Sequence, residues 1–178
     1  NSAAHDVARA FHAAIDSPSY YTSVTIDQPA KVAIGPTRMG WWNGGSHMWN
    51  DSDVAMIIGN NTLVSHFSIP GGIPAFSPHN ALRDGKKRGI KVICIDPRVT
   101  EVASRADLHL QVRPGQDAAI LAAIIAVILA EELHDKAFCL DNVEGLEQLT
   151  AQTQRFTPEA VSAAAGIPAN QIIEAARM

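Results

Sequence analysis

Three short apolar runs, each closing on a turn of polar and turn-forming residues, frame this chain: Val54 to Ile58, Val92 to Ile95 and Leu108 to Val112. Val54 to Ile58 is uninterrupted, as in a strand covered on both faces, and the other two also read as strands. Helical stretches alternate with them. Pro78 to Arg88 carries a basic last turn (Lys86, Lys87, Arg88) and then Gly89, a helix stop. Thr100 to Ala106 reads as a helical turn or short helix, and Gln116 to Glu132 as a long helix. That helix is apolar on all sides, which predicts burial all round. Pro158 to Ala165 and Ala169 to Arg177 predict two more helices near the end. At the start, Val7, Ala8, Phe11, Ala14 and Ile15 recur at helical spacing within Ala3 to Ile15, and Ser17-Pro18-Ser19 ends the pattern. Tyr20 to Ile26 is β-branched and aromatic, as in a short strand or extended segment. Residues 27–52 mix glycine and tryptophan without periodicity, and residues 60–77 form a long Gly- and Pro-bearing connection of the kind that usually serves function. Strands alternating with helices predict an α/β domain of three layers, a mainly parallel sheet with helices on both faces.

The polar turns then matter, because an open parallel sheet binds ligands beyond the carboxyl ends of its strands. Gly59-Asn60-Asn61 follows the first run, Asp96-Pro97-Arg98-Val99-Thr100 the second, and Arg113-Pro114-Gly115-Gln116-Asp117 the third. Gly59 removes a side chain where the backbone leaves a strand, so a diphosphate or sugar can approach the main chain. Asn60 and Asn61 add amide donors and acceptors, and an ordinary turn is the plainer reading. Asp96 can accept hydrogen bonds from ribose hydroxyls or a guanine edge, and Arg98 can pair with a phosphate or stack on a base. The plainer alternative has Asp96 capping its own turn and Arg98 solvated. Gly115 to Asp117 open the long helix, where free N–H groups attract anions, although Asp117 also suits a simple helix cap. By themselves these loops support a nucleotide-like ligand and nothing narrower.

Composition narrows the class of partner. The 178 residues are 47% hydrophobic, enough for a sizeable core, and a net charge of −4 argues against nucleic acid or an anionic membrane as partner. The longest uncharged run, Ala118 to Ala130, has 13 residues and is too short to span a bilayer. Cys94 and Cys139 stand 45 positions apart, without the close spacing of a zinc or iron–sulfur site, and read as two buried thiols. Among the seven histidines none has metal-ligand spacing. Trp41, Trp42 and Trp49 read as packing residues rather than a ligand funnel.

From Asp53 onward the wording of the chain resembles the large catalytic subunit of molybdopterin oxidoreductases, the formate dehydrogenase and DMSO reductase family. The resemblance rests on ordered pieces: Gly59-Asn60-Asn61, Ser65-His66, Lys87 to Ile93, Asp96-Pro97-Arg98, Ala106 to Leu110 and Pro114-Gly115-Gln116-Asp117. Asp135 to Phe138, Glu144-Gly145 and Phe156-Thr157-Pro158-Glu159 continue it. It implies a Rossmann-like three-layer domain, a fragment of a longer subunit, whose three loops hold the guanosine diphosphate end of a molybdopterin guanine dinucleotide carrying molybdenum or tungsten. The implied contacts are Gly59, Asn60, Asn61, Ser65, His66, Asp96, Arg98, Thr100, Gly115, Gln116 and Asp117, with Gln116 standing where the family more often has Thr. It further implies the remaining domains and an electron-transfer protein as partners, no iron–sulfur cluster on this fragment, and no redox activity for the fragment alone.

One departure stands out. Formate dehydrogenase-like members place a metal-binding Cys or selenocysteine before a Gly-Pro; here Ala30-Lys31-Val32-Ala33-Ile34-Gly35-Pro36 puts Ala33 and Ile34 at the ligand and catalytic-histidine positions. Neither side chain binds a metal or moves a proton. The expectation is therefore a metal held by dithiolenes and an oxo group, or chemistry other than formate oxidation. A tungsten formylmethanofuran dehydrogenase type shares the cofactor. Two other classes compete: a non-catalytic nucleotide module like the central domain of thiamine-diphosphate enzymes, and an interaction subunit that has lost redox function.

Overall fold

The computed structural model describes residues 2–19, 21, 37–38, 40, 52–64 and 77–178. Two compact units divide the chain, residues 1–45 and 46–178. In the first, helix α1 spans Ser2–Ala14. Its Val7 and Phe11, and Ile15 just beyond it, form the predicted apolar stripe and are exposed. The expected extended segment at residues 20–26, the tryptophans and the Lys31 to Pro36 stretch lie outside the described residues, apart from Tyr21.

The second unit carries the sheet. Strands β1 (Val54–Ile58), β2 (Lys91–Ile95) and β3 (Leu108–Leu110) pair in the order β1-β2-β3 and are parallel throughout. Helix α2 (Pro78–Arg88) crosses from β1 to β2 and begins on Ser77, whose hydroxyl accepts the N–H of Asn80 at 3.4 Å. It ends where Gly89 turns left-handed and returns its N–H to the carbonyls of Gly85 and Lys86. A single 3-10 turn, Ala103–Arg105, crosses from β2 to β3. Then follow α3 (Asp117–Ala130), α4 (Lys136–Asn142), α5 (Leu146–Thr153), α6 (Pro158–Ala165) and α7 (Ala169–Arg177).

Alternation along the strands sorts the core into two layers, as pleating requires. Ala55, Ile57, Val92 and Cys94 point to one face and pack with Leu82 of α2 and with Val102 and Ala103. Ile93, Ile95, Leu108 and Leu110 point to the other, against Ile120 and Ile124 of α3, Val161 of α6 and Ile172 of α7. Helices thus flank both faces of a small parallel sheet, the expected architecture.

Four details differ from the sequence pattern. The run Leu108 to Val112 is strand only to Leu110, because the N–H of Val112 turns back to the Leu110 carbonyl and the N–H of Arg113 goes to Ala165 of α6. β1 is fully covered on one face only: on the other Met56 is partly buried, while Val54 is 37% and Ile58 40% exposed, since the helices of the second layer sit chiefly over β2 and β3. α3 begins at Asp117 and ends at Ala130, and only its Ile120–Ala123–Ile124–Val127 face is buried. Leu121, Ala122 and Ile125 are half-buried beside an open groove shared with Leu149 and Phe156. Uniform apolarity told of a helix without a polar face, but a single sheet can cover only one side of it. Helices α4 and α5 were absent from the periodic reading. Asp135 does cap α4, accepting the N–H of Phe138 at 2.9 Å, a signal the sequence carried. α5 starts on Gly145 with no side-chain cap and left no such signal.

Candidate cofactor-binding edge of the sheet

Parallel pairing puts all three strand ends on one edge, so the three polar turns become neighbours. The backbone stitches them together: Gly59 donates its N–H to Ile95 at 2.9 Å, and Asp96 donates its own to Leu110 at 3.3 Å. Side chains add cross-braces. His109 Nε2 lies 2.9 Å from the Asp96 carbonyl, and Gln111 Nε2 donates to the Pro97 carbonyl at 3.1 Å. Asn61 Nδ2 donates to the Glu101 carboxylate, which holds the first loop to the helical turn after the second and keeps that carboxyl below its ordinary range. His109 thus supports the Asp96 turn, and its place inside a strand one residue from the edge was the available hint.

Each loop offers a different surface. Gly59 has φ +58 and Gly115 φ +88, and a Cβ built on either would find nothing within 4 Å. Both glycines therefore serve left-handed turns and leave open space beside the main chain, the cradle a diphosphate needs. Asn60 is exposed, while Asn61 Oδ1 and Thr62 Oγ1 are buried without hydrogen-bond partners among the described residues. Such orphaned acceptors and donors cost free energy in isolation and are explained when a ligand completes them.

In the second loop Asp96 is 7% exposed, and its Oδ1 accepts the Arg98 N–H at 2.8 Å. The turn-capping role is thus present in the protein. Arg98 itself is exposed. Thr100 is buried, with its hydroxyl accepting the N–H of Ala103 at 3.1 Å, so that it starts the following helical turn. Beneath this loop burial, and secondarily the nearby Asp96 carboxylate, push the Cys94 thiol up to about 11, with the Thr100 hydroxyl pulling the other way. Cys94 is the buried, inert thiol expected, whereas Cys139 on α4 is only half-buried.

In the third loop Gln116, not Asp117, occupies the cap of α3, and its side chain makes no capping bond. Asp117 is the first helical residue. The uncapped first turn leaves its N–H groups available to an anion. The loop is fixed from behind, because Arg113 donates to the carbonyls of Ala163 at 3.1 Å and Ala164 at 3.4 Å at the end of α6. Arg113 closes that helix end rather than facing a ligand. Ser65 and His66 lie outside the described residues. Among the described residues no group of histidines, cysteines and carboxylates could hold a metal ion. No described helix is long and apolar enough to cross a membrane.

The fold is thus an α/β domain with a small parallel sheet whose three strand-end loops converge on one edge. The chain belongs to the molybdopterin oxidoreductase family, whose model matches residues 5–177. It is 38% identical over 128 residues to F420-dependent formate dehydrogenase 1 subunit alpha of Methanococcus maripaludis, covering 72% of this chain and 18% of that protein. Formate dehydrogenase H of Escherichia coli is 34% identical over 161 residues, covering 86% of this chain and 21% of that one. Among solved structures, acetylene hydratase from Pelobacter acetylenicus superposes with a TM-score of 0.71 at 30% identity, covering 90% of this chain and 21% of that chain. The chain therefore spans about a fifth of the length of the relatives it matches.

Proposed function

We propose that these 178 residues form one α/β domain of a longer catalytic subunit and hold the guanosine diphosphate end of a molybdopterin guanine dinucleotide. What carries the reading is the convergence of the three loops on one sheet edge together with the orphaned buried atoms of Asn61 and Thr62. The donor set suits that group. Gly59 and Gly115 admit the diphosphate to the backbone, and the start of α3, with Gln116 and Asp117, sets partial positive charge beside it. Asp96 offers a carboxylate to the guanine or ribose, with Arg98 free to swing onto a phosphate or base and Thr100 fixing the loop. Asn60, Asn61, Ser65 and His66 complete the first loop's contribution. When bound, the cofactor supplies two-electron redox chemistry at its molybdenum or tungsten, and the protein positions and tunes it. The relatives include both formate dehydrogenases and an acetylene hydratase, so a small substrate is in keeping with the family. The family match also favours this reading over a thiamine-diphosphate-like module.

Asp96→Asn in the complete subunit is the test. An asparagine Oδ1 still accepts the Arg98 N–H, so the turn survives while the negative charge goes. A charge-assisted bond to guanine or ribose is worth roughly 1.5–3 kcal/mol, so cofactor retention should weaken roughly ten- to a hundred-fold. Pterin and metal content are measured beside the melting temperature. Full loading in a destabilised variant would mean that Asp96 serves its turn and nothing else.

A further inference from the structure

The net negative charge of this chain is gathered in one segment outside the three loops. Residues 131–149 hold six carboxylates (Glu131, Glu132, Asp135, Asp141, Glu144 and Glu147) and one cation, Lys136. That is a net charge of −5 in 19 residues, against −4 for the whole chain, so everything outside the segment is slightly basic. The same segment is apolar where it should be covered. α4 buries none of its residues; Phe138 is 58% and Leu140 86% exposed, and Leu133, Val143 and Leu149 are exposed as well. Glu131 pairs with Arg177 and Glu132 with Lys136, but Asp141, Glu144 and Glu147 make no ion pair among the described residues. The segment leaves and rejoins the domain at one apolar groove of about 300 Å³, whose lining includes Ala130 at one end and Thr150 at the other, with Leu129 and Pro158 between.

Exposed aromatic and aliphatic side chains interleaved along one segment with charges of one sign match the make-up of a protein interface, which joins apolar and charged surface. We infer that residues 131–149 are the docking surface for a separate, diffusing protein whose contact face is apolar at its centre and ringed by lysines or arginines. Charge decides between the possible occupants. A second copy of this chain would bring acid against acid in a two-fold contact, and an anionic membrane surface would repel the segment. A domain of the same polypeptide is tethered and gains little from long-range attraction. One-sided charge chiefly accelerates encounter between freely diffusing molecules. The inference stands apart from the cofactor reading, because it uses no residue of the three loops.

The full-length subunit is titrated with two synthetic helical peptides sharing one leucine face, flanked in one by lysines and in the other by glutamates. The lysine peptide should bind and the glutamate peptide should not. Binding should weaken steeply as ionic strength rises from about 0.01 M to about 1 M, where the screening length falls from roughly 30 Å to roughly 3 Å. Glu144→Lys with Glu147→Lys should weaken it about tenfold or more, and Leu140→Ser or Phe138→Ser roughly fivefold or more. All should leave the melting temperature in place, because these side chains are exposed. Failure of the lysine peptide to bind, equal binding of both peptides, salt-independent affinity, or indifference to the substitutions would each overturn the inference. So would slow hydrogen exchange in the free subunit showing the α4 amides covered by its own chain.

Discussion

Asp96 and Asp107 stand at opposite edges of the same three strands, and the bonds each makes separate an edge built for structure from one with capacity to spare. Asp107 precedes β3. Its Oδ2 accepts the Val92 N–H at 2.8 Å and the Lys86 ammonium at 3.1 Å, and its own N–H goes to the Val92 carbonyl. Partial burial raises the Asp107 carboxyl, but the Val92 N–H and the Lys86 ammonium outweigh it and hold the group below its ordinary range. Every contact of this acid closes the fold. Asp96, more deeply buried, is described only with the Arg98 N–H on its side chain, and the loops beside it contain left-handed glycines, an uncapped helix start and orphaned buried atoms. Among the described residues, hydrogen bonding closes the structure around Asp107 and leaves polar groups open around Asp96, the pattern expected where a ligand completes the site.

The largest perturbation should erase this contrast. Leu110 is fully buried and its carbonyl receives the Asp96 N–H, so Leu110→Ala should cost about 2–5 kcal/mol and lower melting temperature and cofactor content together. Asp107→Ala should sharpen the contrast. Stability should fall by about 1–3 kcal/mol, seen in denaturant titration, with cofactor content per folded molecule unchanged. The pH dependence has a defined sign. A carboxyl depressed in the folded state contributes its full stabilisation above its unfolded value of about 4 and loses it as pH falls through the folded one. The gap between wild type and Asp107→Ala should therefore be widest near neutrality and close in acid. Equal cofactor loss in Asp107→Ala and Asp96→Asn would end the distinction between the two edges.

A smaller effect is expected at Gly115. Open space surrounds its missing Cβ, so Gly115→Ala should cost only the left-handed backbone, about 1–2 kcal/mol by thermal unfolding. The smallest change needs no substitution. With its thiol pushed up to about 11, Cys94 is thiolate in only about one molecule in a thousand at pH 8, so alkylation in the native state should mark Cys139 and spare Cys94. Labelling of Cys94 first would mean that the layer under the second loop opens readily.

Sequence alone determined the elements with strong local signals. Pro78–Arg88, Pro158–Ala165 and Ala169–Arg177 lie where proline starts, glycine stops and helical spacing put them, and the strands Val54–Ile58 and Lys91–Ile95 follow their apolar runs. The strand-end turns were legible too, because glycine, asparagine and aspartate mark turns by their own backbone chemistry. Tertiary structure decided what depends on neighbours. Parallel pairing in the order β1-β2-β3 brought the three turns to one edge, and the His109 and Gln111 braces followed from that register. Which side of α3 and of β1 is covered, where Arg113 places its guanidinium, and that α4 buries none of its residues fully are equally products of packing. An apolar pattern records that a side chain is worth burying, but only the arrangement of the other elements determines whether anything arrives to bury it.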